Sequence, residues 1–470
     1  MTALHVSPEE FRVLAGRVTE LAAELYERLE AARAYPQTSG TQTRQAFDEP
    51  VPQEGLKASA LDGLTHVVDM SRLPTSRFFG YVLGSGEPVA ALGDLLASVL
   101  NQNVTAWRSA PAAAAIERQV VHWIAEAVGC SELTGSLCGG GSSANLMALA
   151  MAREAKLPGN DAGARPGVIY CSGEGHMSIA KAVALLGLGR RSLHTVPVDA
   201  RARMSASGLE RAIATDRAAG RDRIAVVATA GTVTTGAIDP LEEIAEICRA
   251  NGLWLHVDGA YGALGALVAA EKYRGLERAD SLSVDLHKWL YQPVDCGLLL
   301  FKDPAVARRT FSHTEDYARV IDSGPDEDFA FFEESLELSR RFRALKVWLS
   351  LRYHGLEAFR AAIRSDLEHA RQLGDAVQQC PELELLAPVE LSAVCFRYRG
   401  SDGGHDLNQL NTAILRRLIE NGRVYLSNAS IAGAFALRAC FVNHRSRSSD
   451  VAEIVPEVLK AARSISMQQR

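Results

Sequence analysis

Between about residues 85 and 305 the chain alternates two apolar rhythms. Short continuous apolar runs predict strands at Val168–Cys171, His194–Val196, Ile224–Thr229, Trp254–Asp258, Ser281–Asp285 and Gly297–Phe301. Between them, apolar residues recurring every three or four positions predict helices at Ser178–Leu186, Ser207–Ala219 and Leu241–Ala250. A strand that is apolar at consecutive positions has to be covered on both faces. The segment therefore reads as an α/β unit, a mostly parallel sheet with helices on either side.

The two ends are patterned differently. Ser7-Pro8-Glu9-Glu10 has the form of a helix start, with Ser7 as N-cap, Pro8 in the first turn and Glu10 placed to close a capping box. Leu14, Val18, Leu21, Leu25 and Leu29 then draw one apolar stripe along that helix. Residues 35–60 follow, rich in Pro, Gln, Thr and Ala, with little apolar pattern. The striped helix packs either on its own domain or, as the loose tether suggests, over a neighbouring subunit. Residues 306–335 are charged and carry no sustained periodicity, as a mobile active-site loop would. A long helical stretch is expected from Phe332 to about Gln379. Beyond it, strands are expected at Val394–Tyr398, Val424–Ser427 and Phe435–Phe441, with helices at Leu407–Asn421 and Asp450–Arg463. The chain thus divides into a helical arm and linker over 1–84, a large domain over 85–365 and a small α+β domain over 366–470. No internal repeat is visible.

Composition narrows the class. The 470 residues are enough for two or three packed units, and 47% apolar with 23% charged residues is ordinary for a globular protein. Fifty Lys and Arg against 56 Asp and Glu give a net charge of −6, which argues against nucleic acid or an anionic membrane as the main partner. No run approaches the roughly 18–20 uncharged apolar residues of a membrane span. The first residues lack the basic-then-apolar pattern of a secretory signal. Eight scattered cysteines, at 130, 138, 171, 248, 296, 380, 395 and 440, read as buried free thiols of a cytoplasmic protein.

Four segments carry candidate chemistry. In Ser281-Leu-Ser-Val-Asp-Leu-His-Lys-Trp289 an apolar strand ends at Asp285-Leu286-His287-Lys288. That places a lysine at the carboxyl edge of the sheet, where open α/β folds bind ligands. A lysine held partly out of water gives up its proton more readily, which suits Schiff-base chemistry, and His287 beside it could donate to a phosphate. The same residues also fit an exposed loop lysine next to a structural histidine. Asp258 ends the strand of Trp254-Leu-His-Val-Asp258 and at that depth needs a cation or several donors. The protonated ring nitrogen of pyridoxal phosphate is one such cation, and a helix N-cap is the plainer alternative. Gly139-Gly140-Gly141-Ser142-Ser143 opens a helix expected over 144–155, a phosphate cradle in form, though glycine turns are common. His176, in Cys171-Ser-Gly-Glu-Gly-His176, stands near another helix N-terminus, where a ring can lie over an aromatic cofactor or simply serve the fold. No metal-ligand spacing, P-loop or Gly-x-Ser-x-Gly elbow occurs.

In this order the segments resemble the pyridoxal-phosphate-dependent group II amino-acid decarboxylases, the group of the aromatic-L-amino-acid, tyrosine and glutamate decarboxylases. The likeness continues through Phe78-Phe79-Gly80-Tyr81, Trp107 ahead of Pro111 with Ile116-Glu117, and Ala228-Thr229-Ala230-Gly231-Thr232. It extends over Leu253–Tyr261, His287-Lys288-Trp289 and Arg340–Lys346, and so covers nearly the whole chain. It implies the type I aminotransferase-like fold, pyridoxal 5'-phosphate (PLP) as cofactor, and a homodimer with active sites at the subunit interface. Under the resemblance Lys288 carries the cofactor as an aldimine, Asp258 keeps its ring nitrogen protonated and His176 stacks on the ring. Gly141 and Ser142 hold the phosphate, with Asp285 and His287 nearby. Tyr317 stands where such enzymes carry a loop tyrosine that returns a proton to the substrate carbon after carbon dioxide leaves.

Several positions depart from the family pattern. Leu286 replaces a common proline, and Val233 stands where a second threonine often touches the cofactor. Tyr81 and Val82 are expected on the substrate side. Val82 and Gly84 occupy places where animal aromatic decarboxylases carry an aromatic residue and a threonine. Asn103 and Thr105 replace apolar residues that reach in from the partner subunit. Ser339, before Arg340, matches the phenol-accepting variant of the pocket. The resemblance therefore implies decarboxylation of an L-amino acid, tyrosine-like or DOPA-like first, to the amine. Two rival readings use the cofactor otherwise: oxidative deamination to an aldehyde, or side-chain elimination on a modified amino acid. A third is a non-catalytic scaffold in which 139–143 and 285–288 are only turns.

Overall fold

A computed structural model describes residues 4–313, 327, 329–400 and 406–468. Its strands are β1 (Thr134–Cys138), β2 (Val168–Ser172), β3 (Leu193–Val196), β4 (Arg223–Thr229), β5 (Trp254–Asp258), β6 (Ser281–Asp285), β7 (Gly297–Phe301), β8 (Leu383–Leu385), β9 (Ala393–Tyr398), β10 (Ser427–Ile431) and β11 (Ala434–Cys440). Seven form one sheet in the order β1-β7-β6-β5-β4-β2-β3, with only β7 running against the others. β7 shows why the run is apolar throughout. Leu298 and Leu300 enter the core on one face of the sheet, Leu299 and Phe301 the core on the other. A fold of this kind leaves its ligand site at the carboxyl ends of the parallel strands. Asp258 and Asp285 both end strands there.

β5, β6 and β7 match the expected bounds, and β2, β3 and β4 differ by a residue. β1 was not foreseen: Thr-Gly-Ser-Leu-Cys is polar in composition yet buried from Gly135 onward. The unpatterned stretch from 306 is in part a helix, Pro304–Phe311, capped by Asp303. The expected helix from Phe332 begins instead at Ala344, and Gly355 (φ 74°) separates Ala344–His354 from Leu356–Gln379. Residues 334–343 are drawn out of helix by tertiary ion pairs: Glu334 with Arg308, Arg340 with the buried Glu117, and Arg343 with Asp295 and Glu337.

A second sheet, β10-β11-β9-β8, is wholly antiparallel. It packs on helices Leu407–Asn421, Ile454–Gln468 and Leu356–Gln379 through Leu373, Val377, Phe396, Ile414, Leu437 and Val458. Val424–Leu426 is buried and extended, as its apolar run requires, but it pairs with 77–79 rather than inside this sheet. The N-terminal helix Pro8–Arg28 takes the expected Ser7 cap but only half of a capping box, and none of its residues is buried. Phe11, Val13 and Val18 on it, and Leu92, Leu95, Leu96, Val99 and Leu100 on helix Pro88–Leu100, face outward. All eight cysteines are free thiols, and all but Cys380 are buried. Among the described residues no helix is long and apolar enough to cross a membrane.

Candidate active site

One cavity of about 210 Å³ at the carboxyl edge of the sheet is bordered by the glycine turn, His176, Asp258, Asp285, His287 and Lys288. Each side chain arrives by a short local device. Asp258 and Asp285 are the last residues of neighbouring strands, and Lys288 lies in the single helical turn Leu286–Trp289 that follows β6. His176 is the N-cap of helix Met177–Leu185. The glycine turn joins β1 to helix Gly141–Lys156, with Gly140 at φ 130°, a conformation that side chains resist. The backbone is also packed too closely for side chains. A Cβ on Gly141 would stand 2.8 Å from Ala260 Cβ and 3.0 Å from Asp285 Oδ2, and one on Gly297 would stand 2.3 Å from Gly140 Cα.

The charges are arranged in two groups. Lys288 Nζ is 3.0 Å from Asp285 Oδ2, with His287 Nε2 at 3.7 Å from the same oxygen. Asp285 Oδ1 is buried without a partner. His287 Nδ1 lies against the Cys296 backbone, 3.1 Å from its oxygen and 3.2 Å from its nitrogen. Asp258 forms the second group. Its carboxylate accepts from Asn145 Nδ2 at 2.9 Å, Ser283 Oγ at 3.1 Å and the Ala260 N–H at 3.2 Å, the several donors its burial demands. Burial holds the His176 imidazole below its ordinary pKa, with Asp258 opposing that shift and Lys288 adding to it. That shift favours the uncharged ring. The nearby thiols are inert for the same reason: burial raises Cys138 to about 12.

Gly141, Ser142, His176, Asp258, Asp285, His287 and Lys288 thus come together, although they are scattered over about 150 positions of sequence. The residues expected on the substrate side do not line this cavity in the single chain. Tyr81 (φ 60°) is half-exposed, its hydroxyl 3.0 Å from that of Tyr425 and its N–H on Ser427 Oγ. Val82 packs against the main core. Asn103 accepts from the N–H of Arg340, the residue after the exposed Ser339, at 2.8 Å, and the Thr105 carbonyl accepts from the Phe332 N–H. Tyr317 lies outside the described residues. Reading the sequence missed Asn145, Ser178, Ser283 and Glu174. A polar residue at 145, among Ala144, Met147 and Ala148 on a buried helix face, was the available signal. It also missed Arg438, a buried guanidinium that donates to the Val233 carbonyl at the cavity's edge.

A lysine, a multiply bonded aspartate and a glycine turn at a helix start converge on one cavity. The pyridoxal-dependent decarboxylase conserved domain matches residues 41–399. The chain belongs to the pyridoxal-dependent decarboxylases. It is 31% identical to an aromatic-L-amino-acid decarboxylase of Bacillus atrophaeus over 99% of this chain and 98% of that one. It is 32% identical to an L-2,4-diaminobutyrate decarboxylase of Rhizobium meliloti (strain 1021) over 80% of this chain and 76% of the relative. Among solved structures, Catharanthus roseus tryptophan decarboxylase in complex with L-tryptophan superposes with a TM-score of 0.89 at 26% identity, covering 98% and 99% of the two chains. This decarboxylase therefore has the type I fold, acts on an amino acid and uses PLP.

The residues present fit that cofactor. The Gly141 and Ser142 N–H groups open a helix and have no acceptor among the described residues, which is what a phosphate needs. The close packing at Gly141 leaves them uncovered by any side chain. The Asp258 carboxyl borders a cavity large enough for a ring, and Lys288 would offer its amine to an aldehyde there.

Proposed function

We propose that this enzyme removes the α-carboxylate of an aromatic L-amino acid of the tyrosine or DOPA type, yielding the amine and carbon dioxide. The observation that carries the chemistry is the convergence of Lys288, Asp258 and the Gly141 helix start on one cavity. The aromatic assignment is supported by the end-to-end match to an aromatic-L-amino-acid decarboxylase, where the diaminobutyrate relative matches over a shorter span. Ser339 supports the phenol.

PLP supplies an electron sink for the pair left when the carboxylate departs. The chain's own residues do the rest. Lys288 would hold the cofactor through its amine. Asp258 would stand as partner to a protonated ring nitrogen. His176 would border the ring, and Gly141 and Ser142 would hold the phosphate by their N–H groups. Asp285, 3.0 Å from Lys288 Nζ, keeps the amine oriented and has one oxygen left for a further donor. Tyr317 delivers the proton to the substrate's α-carbon. Residues 1–84 form an arm that embraces a second copy, which covers the outward apolar residues of helices Pro8–Arg28 and Pro88–Leu100. In that homodimer Asn103, Thr105 and Ser339 of one subunit complete the substrate end of its partner's cavity, beside Tyr81 and Val82. The large and small domains meet near 365, and eight unpaired thiols support a reducing, cytoplasmic setting.

One observation favours a second substrate class. Glu174 borders the cavity and has no hydrogen-bond or ion-pair partner among the described residues, so it suits a substrate with a cationic side chain. Carbon dioxide release from the twenty amino acids, DOPA and 2,4-diaminobutyrate, with amine, aldehyde and ammonia assayed together, separates the readings. Tyrosine or DOPA as best substrate, giving amine, is the expected result. Diaminobutyrate as best substrate, weakened by Glu174→Gln, replaces it with the second. Aldehyde with ammonia indicates the oxidative route, and no carbon dioxide from any of them overturns the decarboxylation.

A further inference from the structure

Asn145 stands one turn inside helix Gly141–Lys156, 1% exposed, and its amide touches three partners. Nδ2 is 2.9 Å from Asp258 Oδ2 and 3.0 Å from Ser178 Oγ, and Oδ1 is 2.9 Å from His256 Nε2. The orientation is forced, because a carboxylate only accepts: Nδ2 must face Asp258, and its two protons go to Asp258 and Ser178. Oδ1 then requires a donor, so His256 carries its proton on Nε2. The His256 Nδ1 is 3.0 Å from the Ser281 hydroxyl and 3.2 Å from the Ser281 carbonyl, and only the hydroxyl has a proton to give it. Trp254 Nε1 donates to that same hydroxyl oxygen at 2.8 Å, which leaves the hydroxyl proton free for His256.

On the other side the chain of donors reaches the cofactor cavity. Ser178 Oγ accepts from Asn145, so its own proton points along the 2.8 Å contact to His176 Nδ1. The Ser178 N–H approaches the same nitrogen at 3.3 Å. His176 Nδ1 is thus an acceptor twice over, and the neutral ring keeps its proton on Nε2, the nitrogen away from Ser178. We propose that Asn145 is a positioning residue for the decarboxylation, fixing His176 through Ser178 as the Nε2–H tautomer and holding Asp258 toward the cofactor ring. This rests on the reading of His176 and Asp258 as cofactor contacts.

The assignment has a directional consequence. A proton added at His176 Nδ1 would face the Ser178 N–H and would turn the Ser178 hydroxyl from donor to acceptor, so the network favours the neutral ring. Asp258 and Asp285 face that ring and favour its charge, Lys288 opposes it, and Glu174 and His287 border the same cavity. A neutral imidazole would not compete with a protonated cofactor nitrogen for the Asp258 carboxylate.

The test is nitrogen NMR on the full-length protein labelled with 15N-histidine, with and without PLP, for wild type, Ser178→Ala and Asn145→Leu. In the wild type at pH 7 His176 should show an unprotonated Nδ1 and a protonated Nε2. Ser178→Ala removes the hydroxyl donor while leaving the Asn145–Asp258 bond. It should yield a mixture of tautomers and raise the His176 pKa by about one unit, since the charged form loses an opposing donor. Asn145→Leu should do the same and also weaken PLP binding in equilibrium dialysis by more than about tenfold, against a smaller change in Ser178→Ala. Circular dichroism and thermal melts establish that each variant is folded. If Asn145→Leu does not fold, Ser178→Ala decides. A wild-type His176 protonated on Nδ1, or an unchanged tautomer and titration in folded Ser178→Ala, overturns the proposal. The cofactor-contact reading fails separately, through absence of PLP uptake by the wild type, because the tautomer is read on cofactor-free protein.

Discussion

Asp258→Ala removes the carboxylate on which three donors converge, and its effects on stability and on chemistry can be separated. Asn145 Nδ2, Ser283 Oγ and the Ala260 N–H would lose their acceptor. A buried donor left unsatisfied costs about 1–3 kcal/mol, and water from the adjoining cavity offsets part of that, so a loss of about 3 kcal/mol is expected. The chemical cost has a different source. A carboxylate placed about 4 Å from a cationic ring nitrogen, at an effective dielectric near 20, would favour the protonated ring by about 4 kcal/mol. Without it the ring gives up its proton and becomes a poor electron sink, and 4 kcal/mol on the barrier is roughly a thousandfold in turnover.

Lys288 and the glycine turn remain in this variant, so it should still take up PLP and turn yellow. The measurement is carbon dioxide release at saturating cofactor, with chemical denaturation alongside. Asp258→Asn serves as the control, because it restores an amide of the same size. It should recover much of the stability and little of the rate. A variant at Asp258 that keeps more than about a tenth of wild-type turnover has lost less than about 1.4 kcal/mol of barrier. That result would refute the role of Asp258 as the ring-nitrogen partner.

Further outcomes follow from the same geometry. Lys288→Ala should abolish the borohydride-stable cofactor adduct detectable by mass spectrometry, and an adduct of unchanged yield would move the attachment elsewhere. Gly141→Val pushes a side chain into Ala260 and Asp285 and over the phosphate cradle, so PLP affinity should fall at least a hundredfold in fluorescence titration, a loss of about 3 kcal/mol. An affinity within tenfold of wild type would show that the turn is not the cradle. Asp366 is fully buried, and desolvation raises its pKa to about 7 despite the Tyr291 and Trp289 donors at 2.7 and 2.9 Å. The folded state therefore holds its proton more tightly than the unfolded one, and stability should decline from about pH 4 to pH 7, by up to roughly 4 kcal/mol from this group. Melts of wild type and Asp366→Asn across pH 5–8 should shift in the variant's favour as pH rises, and parallel curves would exclude it.

The parts of the fold that were legible in the sequence share a physical cause. β5, β6 and β7 are apolar at every interior position but for Ser283 and His256, and they end in a change of character, so hydrophobic patterning alone bounds them. β1 escapes because Gly135 and Ser136 are small rather than apolar, and the sheet buries them by close packing. Residues 334–343 escape for a different reason. Their charged residues have helical spacing, but Arg340 finds Glu117 and Arg343 finds Asp295, both distant in sequence, and those pairs override local propensity. The active site divides in the same way. Lys288, Asp258, His176 and the glycine turn announce themselves as strand ends and helix starts. Asn145, Ser178 and Ser283 show themselves only through the side chains they bond, and no spacing along the chain encodes a bond such as that of Asn145 to Asp258, 113 positions away.

That division also explains how the site can be both rigid and open. The lysine segment is held from behind by groups that never reach the cavity. Trp289 and Tyr291 donate to Asp366, and the backbone of 286–287 bonds to Cys296. Gly84 lies so close that a Cβ there would stand 2.3 Å from the His287 carbonyl oxygen and 2.5 Å from that of Lys288. Any side chain at 84 must displace the platform of Lys288, so the glycine is a demand of this backbone. The front of the segment stays uncommitted: Lys288 Nζ touches one oxygen of Asp285, and the other oxygen is unpaired. The role proposed for Lys288 would call for this combination, because a fixed backbone preserves alignment while the side chain is free to leave and return.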